Sequence, residues 1–134
     1  MENYEEDGEF AKEMYKDYIL DIYKNPKNYG ELKNKTHSSI EYNQFCGDMV
    51  EIQLLVKDNI IKDAKFTGKG CVISTVSTSL ITEHIKNKSL DYVKKININD
   101  IKGLLKINLI SSRIKCASLP LNALINSLGQ KKDA

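Results

Sequence analysis

From Phe10 to Lys24 the apolar residues Phe10, Met14, Tyr15, Tyr18, Ile19, Ile22 and Tyr23 recur at steps of three and four. That spacing predicts an amphipathic helix with its tyrosines turned toward a core. The helix should stop before Pro26, because a proline disfavours helical geometry in the residue preceding it. Asn25-Pro26-Lys27-Asn28-Tyr29-Gly30 reads as a turn-rich loop, and residues 31–39 as polar coil.

The period then changes to two. Ile40 to Phe45 alternates as a half-buried strand does, and Cys46-Gly47-Asp48 reads as a turn. Met49 to Val56 alternates again, with Val50, Ile52 and Leu54 on one face. Lys57-Asp58-Asn59 marks a hairpin. Ile60 to Thr67 gives a third strand with Ile61 (or Ile60), Ala64 and Phe66 inward. Three consecutive strands on short turns form an antiparallel meander.

Gly68-Lys69-Gly70 breaks the third strand, and helical spacing returns with Ile73, Val76, Leu80, Ile81 and Ile85. Ser and Thr fill positions 74, 75, 77, 78, 79 and 82, so this helix can approach its neighbours closely. Leu90 to Lys95 fits one helical turn, and Asn99-Asp100 could cap a helix from Ile101 to Ile107. Leu121, Leu124, Ile125 and Leu128 mark a last helix with Gly129 as its C-cap. Pro120 is tolerated in a first turn, which puts the start of that helix between Cys116 and Leu119. The pattern has no internal repeat and describes one domain over residues 1–134, with residues 1–9 and 130–134 as flexible ends.

Composition narrows the classes. The 134 residues are 41% hydrophobic and 28% charged, as in an ordinary globular domain. No apolar run approaches the ~20 residues of a membrane span, and the acidic start Met1-Glu2-Asn3-Tyr4-Glu5-Glu6-Asp7 does not fit a signal peptide. The expected location is therefore the cytoplasm, with no membrane partner. The net charge is +2, and Arg113 is the single arginine among 20 basic residues. Base and phosphate readout relies on Arg forks, so no nucleic-acid partner is expected.

Three cysteines, Cys46, Cys71 and Cys116, cannot all pair within one chain. Each falls at a predicted boundary: Cys46 on a turn, Cys71 after Gly68-Lys69-Gly70 at a helix start, Cys116 at or before the last helix. A helix N-terminus favours thiolate, the form that binds metal or attacks sulfur, and Lys115 adds a cation beside Cys116. The spacing contains no CxxC pair; 24 and 44 residues separate successive cysteines, so the fold must assemble any shared site. Zinc or a [2Fe–2S] cluster needs four protein ligands. Asp48, two residues from Cys46, is the candidate fourth. His84 falls near the apolar face of its helix and reads as a packed histidine rather than a ligand, and His37 receives no role. Lys69, Arg113 and Lys115 form a basic set near the expected site.

Taken in order, Asn25-Pro26-x-Asn28-x-Gly30, Cys46-Gly47-Asp48, Gly68-x-Gly70-Cys71-x-Ile73-Ser74 and Arg113-Ile114-Lys115-Cys116-Ala117-x-Leu119 resemble the U-type iron–sulfur assembly scaffolds: IscU, SufU and the N-terminal domain of NifU. The resemblance covers roughly residues 14–128. It implies an α+β fold: an N-terminal helix, a three-stranded antiparallel sheet, then a helical C-terminal half on one face of the sheet. It implies that Cys46, Asp48, Cys71 and Cys116 meet at one exposed end as ligands for iron, for a transient [2Fe–2S] cluster, or for zinc in the same place. Cys46, Cys71 and Cys116 are then candidate persulfide acceptors, with Arg113 and Lys115 flanking the site.

The implied function is cluster assembly: sulfur from a cysteine desulfurase and iron are combined, and the cluster passes to apo iron–sulfur proteins. An electron-donating ferredoxin is a candidate partner, and a homo-oligomer stays open. The alternative is a zinc-dependent SufU-like sulfurtransferase. IscU-type members carry a histidine before the third cysteine, where this chain has Lys115, as SufU-like members do. The 44 residues between Cys71 and Cys116 are too few for the insertion expected of SufU. The stretch from Leu109 to Lys115 also lacks the Leu-Pro-Pro-Val-Lys signal that a dedicated chaperone reads in IscU.

Overall fold

The computed structural model describes residues 17–44, 47–107, 109 and 111–130. The first helix, α1, covers residues 17–24 and ends before Pro26. The Phe10–Lys16 stretch read as helix from the sequence, Tyr15 included, lies outside the described residues, as do 1–9 and 131–134. Ile19 is buried and Tyr18 and Ile22 pack against the core, whereas Tyr23 is exposed, contrary to the expectation for all three tyrosines. Tyr18 donates its hydroxyl to the Leu104 carbonyl at 3.1 Å, pinning α1 to the far end of the chain.

Three antiparallel strands follow, β1 (His37–Asn43), β2 (Asp48–Lys57) and β3 (Ile60–Lys69), in the order β1-β2-β3. Ser39, Ile52 and Phe66 lie in one cross-strand row, and Glu41, Val50 and Gly68 in the next. This is the inner face, and its apolar members Val50, Ile52, Leu54, Ala64 and Phe66 form the floor of the core. A register shift at Leu55/Val56 lets Ile61 turn inward with Ala64 despite their odd spacing. Asp58 and Asn59 both have positive φ, as a two-residue hairpin requires.

The strand β1 overturns one expectation. It begins at His37, inside the stretch read as coil, and Ile40 and Tyr42 are exposed. Burial of the β2 set fixes the register, and a one-residue parity decides which side of β1 faces in. The loop before β1 runs along β3: Phe66 N–H donates to the Asn28 carbonyl at 2.9 Å and Gly30 N–H to the Phe66 carbonyl at 2.8 Å. Asn28 also donates its side-chain amide to Thr82 and Glu83. That amide bond, with Lys86 beside it, holds the Glu83 carboxyl below its usual pKa.

Among the described residues, four further helices follow: α2 (Val72–His84), α3 (Leu90–Lys94), α4 (Ile98–Leu105) and α5 (Ser111–Gln130). Buried Ser74, Thr78, Ser79 and Thr82 on α2 turn their hydroxyls onto nearby carbonyls, for example Thr78 onto Ser74 at 2.6 Å and Ser79 onto Lys27 at 3.1 Å, whereas the buried Ser77 Oγ has no partner among the described residues. This lets a hydroxyl-rich helix pack against β3, α4 and α5. The helix α4 starts three residues earlier than the pattern suggested, because Asn97 and Asp100 form a reciprocal capping box.

The largest departure is α5. It starts at Ser111, runs through Pro120 and includes Gly129 and Gln130. Its buried stripe is Cys116, Ala117, Leu119, Pro120, Ala123, Leu124, Ser127 and Leu128, and Ile125 is exposed. Burial along that stripe against the sheet and α2 outweighs the ~3 kcal/mol that an interior proline costs. Replacing Pro120 by alanine should return an N–H donor to the Cys116 carbonyl. The gain of ~3 kcal/mol is offset by lost ring burial and a freer unfolded chain, roughly 2 kcal/mol together. We expect a net stabilisation of about 1 kcal/mol, read as a higher unfolding midpoint in urea. A lower midpoint would show that ring packing dominates at this position.

Candidate metal centre

Asp48 opens β2 directly after the turn, where Gly47 takes a φ of +74° that a side chain rarely adopts. Asp48 is therefore the first strand residue rather than a turn residue, and only 3% exposed. One of its oxygens, Oδ1, accepts the Cys71 N–H at 3.2 Å. The other, Oδ2, is buried and has no hydrogen-bond partner among the described residues. A buried carboxylate oxygen with nothing to bind is costly, and a cation is the simplest group to satisfy it.

Cys71 is the N-cap of α2, in extended geometry, and its Sγ accepts the Ser74 N–H at 3.5 Å. The helix-start position read from Gly68-Lys69-Gly70 is thus observed. Cys116 is not at a helix start: it is the sixth residue of α5 and 3% exposed. The dipole argument made for it does not apply, since the effect is confined to the first turn.

The ligand atoms of Asp48, Cys71 and Cys116 all lie within 4.8 Å of one another. Three elements distant in sequence, the start of β2, the start of α2 and the second turn of α5, bring one carboxylate and two thiols to one point. One hard oxygen and two soft sulfurs suit zinc or iron rather than magnesium or calcium. Cys46 falls outside the described residues, while its chain neighbours Gly47 and Asp48 fall inside.

Gly70 shapes the centre by having no side chain. A Cβ there would lie 2.6 Å from Ser74 Oγ and 2.8 Å from Asp48 Cγ. The expected basic residues Lys69, Arg113 and Lys115 are all exposed. Lys115 also lines an open groove of about 310 Å³ between the end of β1 and α5, with Tyr42, Asn43, Gln44, Leu119 and Asn122. His84 joins no ligand set; its Nε2 shares a 2.9 Å hydrogen bond with Tyr92 Oη. Pattern reading quoted Gly70 and Ser74 in a motif but gave neither a role at the site. The signal was present in Cys71-x-x-Ser74, the spacing at which an N-cap side chain meets the third helical residue.

The sequence profile of the family described as the NifU-like N terminal domain matches residues 14–132. The chain is 32% identical to the zinc-dependent sulfurtransferase SufU of Bacillus subtilis, with 89% of this chain and 92% of that protein covered. It is 34% identical to the iron–sulfur cluster assembly scaffold protein IscU of Escherichia coli K12, covering 88% and 94%. A SUF-system iron–sulfur cluster assembly scaffold protein from Fervidobacterium islandicum AW-1 has a similar structure. Its TM-score is 0.73 at 28% identity, over 88% of this chain and 98% of that one. No helix among the described residues is long and apolar enough to cross a membrane.

Proposed function

The chain belongs to the NifU-like N-terminal domain family, and on that footing we propose that it is a scaffold on which iron–sulfur clusters are assembled and from which they are passed on. The observation that carries this reading is the convergence of Asp48, Cys71 and Cys116 around the unpartnered Asp48 Oδ2. Cys46 is the proposed fourth ligand. Iron and sulfide are cargo here: three thiolates would hold them, and one carboxylate closes the set.

In the proposed sequence, a thiolate of the site attacks the outer sulfur of a cysteine desulfurase persulfide. A new S–S bond forms, the old one breaks, and the desulfurase thiolate leaves. Iron binds among the remaining thiolates and Asp48, and a ferredoxin-class donor supplies the electrons that reduce the bound sulfur to sulfide. Apo iron–sulfur proteins then receive the [2Fe–2S] product. Asp48 is a hard ligand in a soft set, so it holds iron less tenaciously than a fourth thiolate would. That favours handing the cargo on.

A zinc-dependent sulfurtransferase is the second reading. It is favoured by the 32% identity to SufU over 89% of this chain and by Lys115 before the third cysteine. The same four side chains would fill the tetrahedral shell of zinc. Anaerobic purification followed by metal and sulfide analysis and a visible spectrum separates the two. Chelator-sensitive iron with sulfide-to-iron charge-transfer bands is the expected result. Tightly held zinc, no sulfide, and stimulation of a desulfurase would establish the transferase instead.

A further inference from the structure

Ser74 is the third residue of α2 and 1% exposed. It faces Cys71 with two groups. Its N–H donates to Cys71 Sγ at 3.5 Å, and its Oγ lies 3.9 Å from the same sulfur, accepting the thiol proton. The same hydroxyl donates to the Cys71 carbonyl, with its Oγ 3.1 Å from that oxygen. A sulfur that ligates a metal has lost its proton, and can then only accept. The Ser74 oxygen would face it lone pair to anion.

We propose that Ser74 is a positioning residue for the Cys71 sulfur: when Cys71 ligates, the Ser74 hydroxyl turns from the carbonyl to the sulfur and fixes it in the ligand set. The proposal rests on the reading of Cys71 as a ligand and adds a residue that no ligand assignment contains. Two features make the turn inexpensive. The Cys71 carbonyl keeps a donor, because Thr75 N–H bonds it at 3.1 Å. The hydroxyl has room, because Gly70 leaves open the slot that a Cβ would fill at 2.6 Å from Ser74 Oγ. Asp48 borders the same slot, with its Cγ 2.8 Å from that Cβ position. A hydrogen bond to a ligating sulfur withdraws charge from it and shifts the spectrum and potential of whatever it binds.

The test is an anaerobic Co²⁺ titration of the apo-protein, following the thiolate-to-cobalt charge-transfer bands. Ser74→Ala keeps the backbone N–H that caps α2 and removes only the hydroxyl. It should weaken Co²⁺ binding about tenfold, the order of one hydrogen bond to a charged acceptor, and shift the charge-transfer bands. Ser74→Thr should restore both. Thr78→Val removes the hydroxyl that bonds the Ser74 carbonyl; it should leave the bands in place and the affinity within about twofold. Wild-type affinity and an unshifted spectrum in Ser74→Ala overturn the proposal, as does an equal loss in Thr78→Val, which would mark general loosening of α2. Ser74→Gly supplies the same comparison if the alanine variant does not fold. Absence of thiolate-to-cobalt bands in the wild type would instead overturn the reading of this site as a metal centre, and the Ser74 proposal with it.

Discussion

Replacing Cys116 with serine is expected to abolish stable cluster assembly while leaving the chain folded. The thiol sits 3% exposed in the second turn of α5, with its Sγ inside the 4.8 Å cluster of ligand atoms. Serine keeps the shape but stays protonated, and an alcohol is a poor ligand for iron or zinc. If four ligands together supply ~12 kcal/mol, losing one removes ~3 kcal/mol, roughly a hundredfold in metal affinity. The fold should survive, because a helical serine can bond the carbonyl four residues back, and serine is a favoured N-cap in the parallel variant Cys71→Ser. Cys46→Ser completes the set and is expected to behave alike. Circular dichroism checks the fold, and anaerobic reconstitution with iron and sulfide checks the cluster. A variant that assembled a normal cluster at full stoichiometry would remove its cysteine from the site.

The second large effect concerns Asp48, and its sign is the informative part. Asp48→Ala should leave a cluster that forms, survives longer in air and transfers more slowly to an apo-ferredoxin. The carboxylate is the one oxygen in a sulfur-rich set; without it, another donor or an altered geometry holds the iron more persistently. The substitution also frees the Cys71 N–H that Oδ1 now accepts, at a cost of ~1–3 kcal/mol to the apo-protein, so the apo form should unfold at lower urea. These opposite shifts, a less stable apo-protein and a longer-lived cluster, distinguish a labile ligand from a structural aspartate, which would lose stability alone. Faster metal loss together with lower sulfur transfer would be the signature of catalytic zinc, which needs its four-coordinate shell filled.

The candidate ligand types were legible because they are matters of composition and local order. An odd cysteine count, a Cys-Gly-Asp turn and a Gly-x-Gly-Cys helix start require no knowledge of tertiary contacts. The meander and the inward set Val50, Ile52, Leu54, Ala64 and Phe66 were legible for the same reason: a two-residue period is written in the strand itself. The structure agrees with Cys71 at a helix start, although β3 runs on through Gly68 to Lys69 and only Gly70 separates the strand from the cap.

What tertiary structure decided lies where a local preference met a larger packing term. Proline disfavours an interior helical position, which locally argues for a helix starting near Cys116. Burial of a stripe on both sides of Pro120 overrode that preference, so α5 begins at Ser111 and Cys116 lies mid-helix. The face of β1 was likewise undetermined by its own alternation: Ile40 and Tyr42 look like core residues until pairing with β2 sets Ser39 beside Ile52 and turns them outward. The capping box that starts α4 was written in the sequence but competed with an equally plausible Asn-Asp start two residues on. The Ser74 hydroxyl, the Gly70 slot and the unpartnered Asp48 oxygen belong only to the folded chain. Each arises where β2, α2 and α5 approach within a few ångströms, and a linear pattern carries no distances between elements.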